Sequence, residues 1–354
     1  MEARFWHLRE DGRIVCDLCP RRCALADGQR GACFVRERRG DRLVLTTYGR
    51  SSGFCIDPIE KKPLFHFLPG TPVLSFGTAG CNLACRYCQN WDISAAGEID
   101  VLADEASPAD IAAAARRSGA RSVAFTYNDP VVFHEYAVDT AAACRDAGIR
   151  TVAVTAGYVE PDPRAELSAL IDAVNVDLKA LDDGFYRRWC RGRLGPVLDT
   201  LEYLAAETGV WLEVTTLVIP GLNDGDGHAE ALASWIAGHL GTGVPLHLTA
   251  FHPAFRMLDR LPTPAATLRR LRRIALRCGL DHVYTGNVAD PEGQATRCAA
   301  CGATLITRRG YDLGSWNLTA AGDCPSCGTA LPGVFEPQPG TWGGRRLPVR
   351  VGRR

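Results

Sequence analysis

Cysteine is the residue type whose spacing in this sequence points to chemistry. Of 15 Cys, all but Cys55, Cys144, Cys190 and Cys278 fall into three tight groups. The central group lies in SFGTAGCNLACRYCQNW, where Cys81, Cys85 and Cys88 are spaced by three and then two residues. A 4Fe–4S cluster normally takes four thiolates. Three thiolates in one compact loop hold three irons and leave the fourth open to a small-molecule ligand. The glycines ahead of Cys81 let the backbone fold tightly around the inorganic sulfides. An apolar strand end on one side and Tyr87 on the other shield such a cluster and tune its potential. A zinc site would need a fourth Cys or His. None lies nearby in sequence, so only His66 or His134 folding in would supply it. The spacing, directly after a β-type run, favours the open cluster.

The last group is Cys298-x2-Cys301-Gly302 and Cys324-x2-Cys327-Gly328. Each pair reads as a knuckle whose trailing glycine takes a conformation other residues avoid. Two knuckles make a tetrahedral four-thiolate site, with Zn²⁺ the usual occupant and a rubredoxin-like iron the rival. LITRRGYDLGSWNLT between them has strand-like patches, as in a zinc ribbon. A structural staple is the favoured role, since the segment lacks the dense basic-aromatic face of a nucleic-acid binder. The first group, Cys16, Cys19, Cys23 and Cys33, holds either a structural metal or a second Fe–S cluster that relays electrons. Its spacing does not match ferredoxin runs, which favours the structural metal. The four remaining cysteines read as small buried apolar residues or inert thiols.

Whole segments of the chain are similar to a known family. Cys81-x3-Cys85-x2-Cys88, with an aromatic residue before the last Cys, resembles the cluster motif of the radical S-adenosylmethionine (SAM) superfamily. CNLACRYCQNW resembles the branch containing pyruvate formate-lyase activating enzymes. CDLCPRRCALADGQRGAC, TYNDP, VNVDLKALDDGFYRRWC, LEVTTLVIPGLND, LHLTAFHP and the final Cys pairs resemble the radical enzyme of the AmmeMemoRadiSam system over nearly the full length. The resemblance implies that the open iron chelates the amino and carboxylate groups of SAM. One electron then breaks the sulfonium C–S bond, and a 5′-deoxyadenosyl radical abstracts hydrogen from a substrate. The protein supplies position, potential and dryness. It further implies an electron donor such as flavodoxin or ferredoxin, and Memo-domain and AMMECR-domain partner proteins. The substrate is not legible: a small molecule or a protein or RNA target is favoured over a protein glycine, the target of a glycyl radical enzyme activase. The reading of another class is a non-catalytic Fe–S and zinc-binding adaptor.

The resemblance also assigns cofactor contacts. Thr126-Tyr127-Asn128-Asp129-Pro130 stands where related enzymes bind the methionyl amino group, so Asn128 and Asp129 are candidates. Asp129 stands where Glu is expected, and a simple helix N-cap before Pro130 is the competing role. Strand alternation puts Asn175, Asp177 and Lys179 on one side, and the resemblance sets Asp177 and Lys179 near the carboxylate and sulfonium end of the cofactor. An internal Asp–Lys pair is the alternative. Thr215 and Ile219 are candidates for the adenosine, and His252, Tyr158 and Asn287 for the rim.

These residues need a scaffold. Strand-like runs at Val73–Phe76, Ser122–Thr126, Thr151–Thr155, Ala173–Asp177, Val210–Leu217 and Leu246–Phe251 alternate with Ala- and Leu-rich helical stretches, and His282–Thr285 reads as an edge run. Such alternation implies βαβ crossovers and a parallel sheet. Ser107-Pro108-Ala109-Asp110 and Gly119 mark the start and stop of one helix; Thr263-Pro264 and Gly279 mark another. The expected fold is α/β, a partial (β/α)6 TIM-like barrel of the radical SAM type, with functional side chains where strands end. The expected divisions are an N-terminal Cys-rich module at 1–72, the barrel at 73–290, a zinc-ribbon-like module at 291–335 and a mobile basic tail at 336–354.

Composition sets the outer bounds. Hydrophobic residues at 46% and charged residues at 23% suit a folded globular chain and exclude wholesale disorder. Forty Lys+Arg balance forty Asp+Glu, so net charge gives no push toward nucleic acid or membrane. No apolar run reaches the roughly 18 residues of a membrane span, and MEARFWHLREDGR lacks the apolar core of a secretory signal. A reducing cytoplasmic setting, where close thiols bind metals, is therefore expected.

Overall fold

In the computed structural model, which describes residues 1–95, 102 and 104–352, the β-branched and aromatic runs form one nine-stranded sheet. In chain order its strands are β1 (Phe54–Pro58), β2 (Pro72–Phe76), β3 (Ser122–Phe125), β4 (Arg150–Thr155), β5 (Ala173–Asp177), β6 (Trp211–Val218), β7 (Leu246–Ala250), β8 (Val283–Gly286) and β9 (Leu347–Val349). The connections from β2 to β8 carry α1 (Pro108–Ser118), α2 (His134–Asp146), α3 (Pro161–Ser168), α4 (Gly195–Glu207), α5 (Asp226–His239) and α6 (Ala265–Arg277). β3 and β7 are buried along their whole length, as parallel strands covered on both faces require.

The order across the sheet is β8-β7-β6-β5-β4-β3-β2-β1-β9, and β2 through β8 run parallel. A doubly wound sheet reverses its progression at a switch point. Here every parallel strand lies beside its chain neighbour, the progression of a barrel left open. The His282–Thr285 run is a full member of it, with Val283 opposite Leu246.

The two ends of the chain correct the expected divisions. β1 lies within the segment 1–72, yet it joins the barrel sheet antiparallel to β2. β9 lies within the supposed tail 336–354 and covers the outer edge of β1, Leu347 opposite Ile56 and Val349 opposite Phe54. An uncovered edge would present unpaired N–H and C=O groups, and the outermost strand tolerates Pro348, which has no N–H to give. Arg346 meets the buried carboxylate of Asp57 at 3.4 Å. Composition suggested mobility there because three strand residues are too few to show a period; Arg353 and Arg354 lie outside the described residues.

Local signals act as read in α1. Ser107 Oγ accepts from the Asp110 N–H at 3.2 Å, and the Asp110 carboxylate accepts from the Ser107 N–H at 3.0 Å. Gly119 closes the helix at φ 71°. Thr263 behaves differently: its side chain caps nothing and instead ties β6 to the turn after β7, donating to Val218 O and accepting from Phe251 N–H.

Two small modules lean on the barrel. The N-terminal one has a three-stranded sheet and an apolar core of Ala3, Ile14, Leu18, Leu25 and Leu43 closed by Val131 and Val159 of the barrel. The Arg36 guanidinium reaches Glu135 of α2 at 2.6 Å with both side chains buried. The C-terminal one is a hairpin, Thr304–Arg309 against Asp312–Trp316. Its Arg308, also buried, donates to Phe65 O at 2.7 Å.

Candidate functional site

β2 stops at Phe76, and the chain turns into the cysteine loop. At Gly77 a Cβ would overlap Thr126 O, so only glycine passes there. Asn128 then fixes the turn. Its Oδ1 accepts from Thr78 N–H at 2.8 Å, and its Nδ2 donates to Thr78 Oγ1, Ala79 O and Gly80 O at 3.2, 3.1 and 2.9 Å. On the far side, the Ala84 and Arg86 N–H groups donate to Cys190 O and Trp189 O, each at 2.9 Å. Those acceptors close a π-helical turn, Tyr186–Cys190, a distortion concentrated at functional sites. The Cys190 sulfur lies 3.1 Å from the hydroxyl of Tyr87, which is itself buried. Cys190 is thus part of the loop's support rather than a spare thiol.

Cys81, Cys85 and Cys88 line a cavity of about 1310 Å³ beyond the strand ends, together with Tyr87, Asn128, Asp129, Asp177, Lys179, Thr215 and Asn287. Asp177 and Lys179 form an ion pair of 2.5 Å in its wall. Burial works against the Lys179 ammonium, but the Asp177 carboxylate and the Cys85 sulfur outweigh it and hold the pKa above the usual lysine range. The buried Thr215 Oγ1 has no hydrogen-bond partner among the described residues. It is a polar atom available to whatever enters.

Other expected residues do different work. Burial raises the Asp129 pKa, and both carboxylate oxygens are already engaged. They accept from Val131 N–H at 3.0 Å, Thr155 Oγ1 at 3.0 Å and Ala156 N–H at 2.9 Å. The N-cap role is therefore present, extended into a clamp on the end of β4. Asn175 does not share the cavity with Asp177 and Lys179; its Nδ2 donates to Pro63 O at 2.8 Å deeper in the barrel. His252 is a correction. β7 ends at Ala250, Phe251 takes the buried position, and His252 is exposed and outside the cavity wall. Ile219 and Tyr158 are buried but do not line the cavity. His66 and His134 are committed elsewhere, to Tyr284 and Glu166.

Sequence reading missed Lys61, Lys62 and His247 in the wall, and the buried Asp57 behind it that holds the two lysines and Tyr127. Asp57 accepts from Lys61 at 2.9 Å, Lys62 at 2.6 Å and Tyr127 at 2.8 Å. Although burial opposes its charge, the two lysines hold its carboxyl well below the usual range, while burial brings Lys62 down to about 8. The lysine contacts are local, four and five residues along the chain, whereas Tyr127 joins only when β1 meets the loop after β3. His247 was legible: strand alternation puts it on one face with Thr249. Both line the cavity, and His247 Nε2 meets Glu213 at 2.6 Å.

The three cysteine groups differ in spread. Among the described residues, one set of three or more metal-ligating side chains has all its ligand atoms within 4.8 Å, namely Cys298, Cys301, Cys324 and Cys327. Cys298 and Cys327 are 3.5 Å apart and Cys301 and Cys324 3.7 Å. One ion with bonds of about 2.3 Å sets its thiolates about 3.8 Å apart, so this set fits a single metal. The central thiols stand wider and face open space, which fits a bulkier group with several irons.

Residues 76–232 match the family model described as the radical SAM superfamily. An uncharacterised protein of Methanocaldococcus jannaschii is 39% identical over 331 residues, covering 93% of this chain and 98% of that one. Among solved structures, the chain is similar to a domain of a pyruvate-formate lyase-activating enzyme from Bacteroides vulgatus at 18% identity and TM-score 0.42, over 47% of this chain and 99% of that one. It is similar to a radical SAM methyltransferase from Sphaerobacter thermophilus at 18% identity and TM-score 0.48, over 67% and 71% of the two chains.

Proposed function

The chain belongs to the radical SAM superfamily, and on that premise we propose that Cys81, Cys85 and Cys88 hold its 4Fe–4S cluster and that the adjoining cavity takes SAM and a substrate together. When bound, cluster and SAM supply a one-electron cleavage that yields a 5′-deoxyadenosyl radical able to take hydrogen from the substrate. The observation that carries this reading is the single cavity shared by the three thiols, the Asp177–Lys179 pair and the unpartnered Thr215 hydroxyl. Its volume, about 1310 Å³, exceeds the roughly 300–1,000 Å³ of ordinary small-molecule pockets, which suits two occupants.

The chain's own residues divide the work. Asn128 holds the cysteine loop in shape, and Asp129 clamps the rim at β4. Tyr87, fixed by Cys190, keeps water from the thiols. Asp177 and Lys179 present one charge of each sign to the zwitterionic methionyl end of SAM, and Thr215 meets its nucleoside. The C-terminal four-thiolate set holds zinc as a staple. Related enzymes need a reductant such as flavodoxin or ferredoxin, and this one uses a donor of that class. The resemblance of both cysteine-bearing ends to the AmmeMemoRadiSam radical enzyme supports action within that system, alongside Memo-domain and AMMECR-domain proteins.

Anaerobic reconstitution with iron and sulfide tests this. The protein should turn brown, show a 4Fe–4S absorbance shoulder and release 5′-deoxyadenosine when given SAM and dithionite. An intact cluster that releases none would favour a non-catalytic adaptor. Hydrogen abstraction from a protein glycine, seen as a glycyl radical on a co-encoded protein, would favour an activase.

A further inference from the structure

The N-terminal thiols are the largest chemical feature the proposed activity leaves unused. We propose that Cys16, Cys19, Cys23 and Cys33 bind a second iron–sulfur cluster, of the 4Fe–4S type, against the back of the central cysteine loop. Sequence spacing alone favoured a single structural metal; the geometry does not.

The four thiols converge on one small cavity, with Gly31, Arg36 and Asn82 also in its wall. Convergence shows a shared ligand, and spread shows its size. The C-terminal thiols are pinched to single-ion spacing, whereas no three of these four lie within 4.8 Å of one another. In this they match Cys81, Cys85 and Cys88 and differ from the zinc-like set. A mononuclear ion with ~2.3 Å bonds cannot reach four sulfurs so placed without the loop collapsing; a cluster, whose irons stand apart, can.

The lining suits such a group. Gly31 runs between two of the sulfurs: a Cβ there would lie in van der Waals contact, 3.7 Å, with those of both Cys23 and Cys33. A backbone N–H also points at one of the sulfurs, Ala32 to Cys23 at 3.4 Å. Such bonds stabilise cluster thiolates and tune their potential. The Arg36 guanidinium is 1% exposed and lines the cavity, and its Nε has no partner among the described residues. Glu135 already balances the Arg36 charge, so what Arg36 offers the four sulfurs is its unpartnered buried Nε–H, a donor that a sulfide or thiolate can satisfy. The site is also fixed against the catalytic loop. A Cβ on Gly80 would overlap Cys33 O, and Arg21 donates to Asn82 O and, at 2.7 Å, to Arg191 O. The two ligand loops therefore touch through backbone.

The test counts metal and sulfide per chain on the full-length protein, reconstituted anaerobically and desalted, with Mössbauer spectroscopy to identify the iron. The unaltered chain should hold about eight irons and eight sulfides, and the Cys81→Ala/Cys85→Ala/Cys88→Ala variant about four of each. Adding Cys16→Ser and Cys19→Ser should remove the remainder, while the C-terminal metal and the circular dichroism stay unchanged. Cys23→Ser, at a partly exposed position, is the milder second variant and should also lose the remainder. The proposal fails if the triple variant holds no sulfide, if it gains zinc or a lone iron instead, or if its iron survives the N-terminal changes. Failure of the central assignment looks different: the triple variant would then carry as much iron as the unaltered chain.

Discussion

The loop at 81–88 and the knuckles at 298–327 use the same side chain for opposite ends. At the C-terminus the sulfurs are at single-ion spacing, and Cys301 and Cys327 face solvent. That geometry follows from the two knuckles and one hairpin, and it suits a single ion that would hold the module together. In the central loop the spacing comes from elsewhere: Asn128 after β3, the π-helical turn after β5 and Gly80 on Cys33 O all press on it. The thiols are held apart and face a cavity. A local set makes a staple, whereas a set braced by remote elements leaves a position free for chemistry.

The contrast is broken most directly by exchanging losses. Cys85→Ala should lower 5′-deoxyadenosine release by at least about 10³-fold while the C-terminal metal remains. Cys301→Ser should do the reverse, losing that metal and several degrees of thermal midpoint while release stays within about threefold. Loss of release in Cys301→Ser at unchanged iron content would end the division of labour.

Asn128→Ala sharpens the point that the loop is held from outside. Removing its four hydrogen bonds should cost about 10–100-fold in cluster retention or turnover, the usual scale for residues behind metal ligands. Iron content measured beside turnover separates the two. Unaltered behaviour would mean that the cysteine loop holds its own shape.

A smaller effect concerns the seam between barrel and C-terminal module, where His66 Nδ1 meets Pro332 O at 2.7 Å. Burial lowers the His66 pKa from 6.5 to about 3. Glu213 falls from 4.5 to about 2 because His247 and the other partners outweigh its burial. In both, the unfolded chain binds more protons as pH drops, so their stabilisation is complete above about pH 6.5. It is lost as pH falls toward 3 for His66, and from 4.5 toward 2 for Glu213. The unfolding free energy from urea titrations should fall across pH 6.5 to 4 by an amount of order 2 kcal/mol, and His66→Gln should flatten the upper part of that slope. The smallest change is expected at the exposed His252, where replacement by Ala should alter turnover less than about twofold.

Much of this was legible because it is local. The cysteine spacings, the alternation of apolar runs with helices and the capping box at Ser107 each depend on residues a few positions apart. His252 misled because it lies past the end of β7 at Ala250, and alternation from the cavity-lining His247 and Thr249 would put position 252 on the opposite face in any case. Asp129 lines the cavity, but Val131 just beyond it, Thr155 at the end of β4 and Ala156 in the following turn already occupy its oxygens.

Sequence alone determined that the thiols would gather in three groups with ligand-like spacing and that parallel strands would carry the middle one. Three decisions belonged to tertiary structure. It set how the central cysteine loop is braced, it made β9 rather than solvent the neighbour of β1, and it brought Tyr127 from the loop after β3 onto Asp57 behind the cavity wall. The physical reason is range: propensity and spacing act over one or two turns of chain, whereas these contacts are fixed by packing between segments tens to hundreds of residues apart.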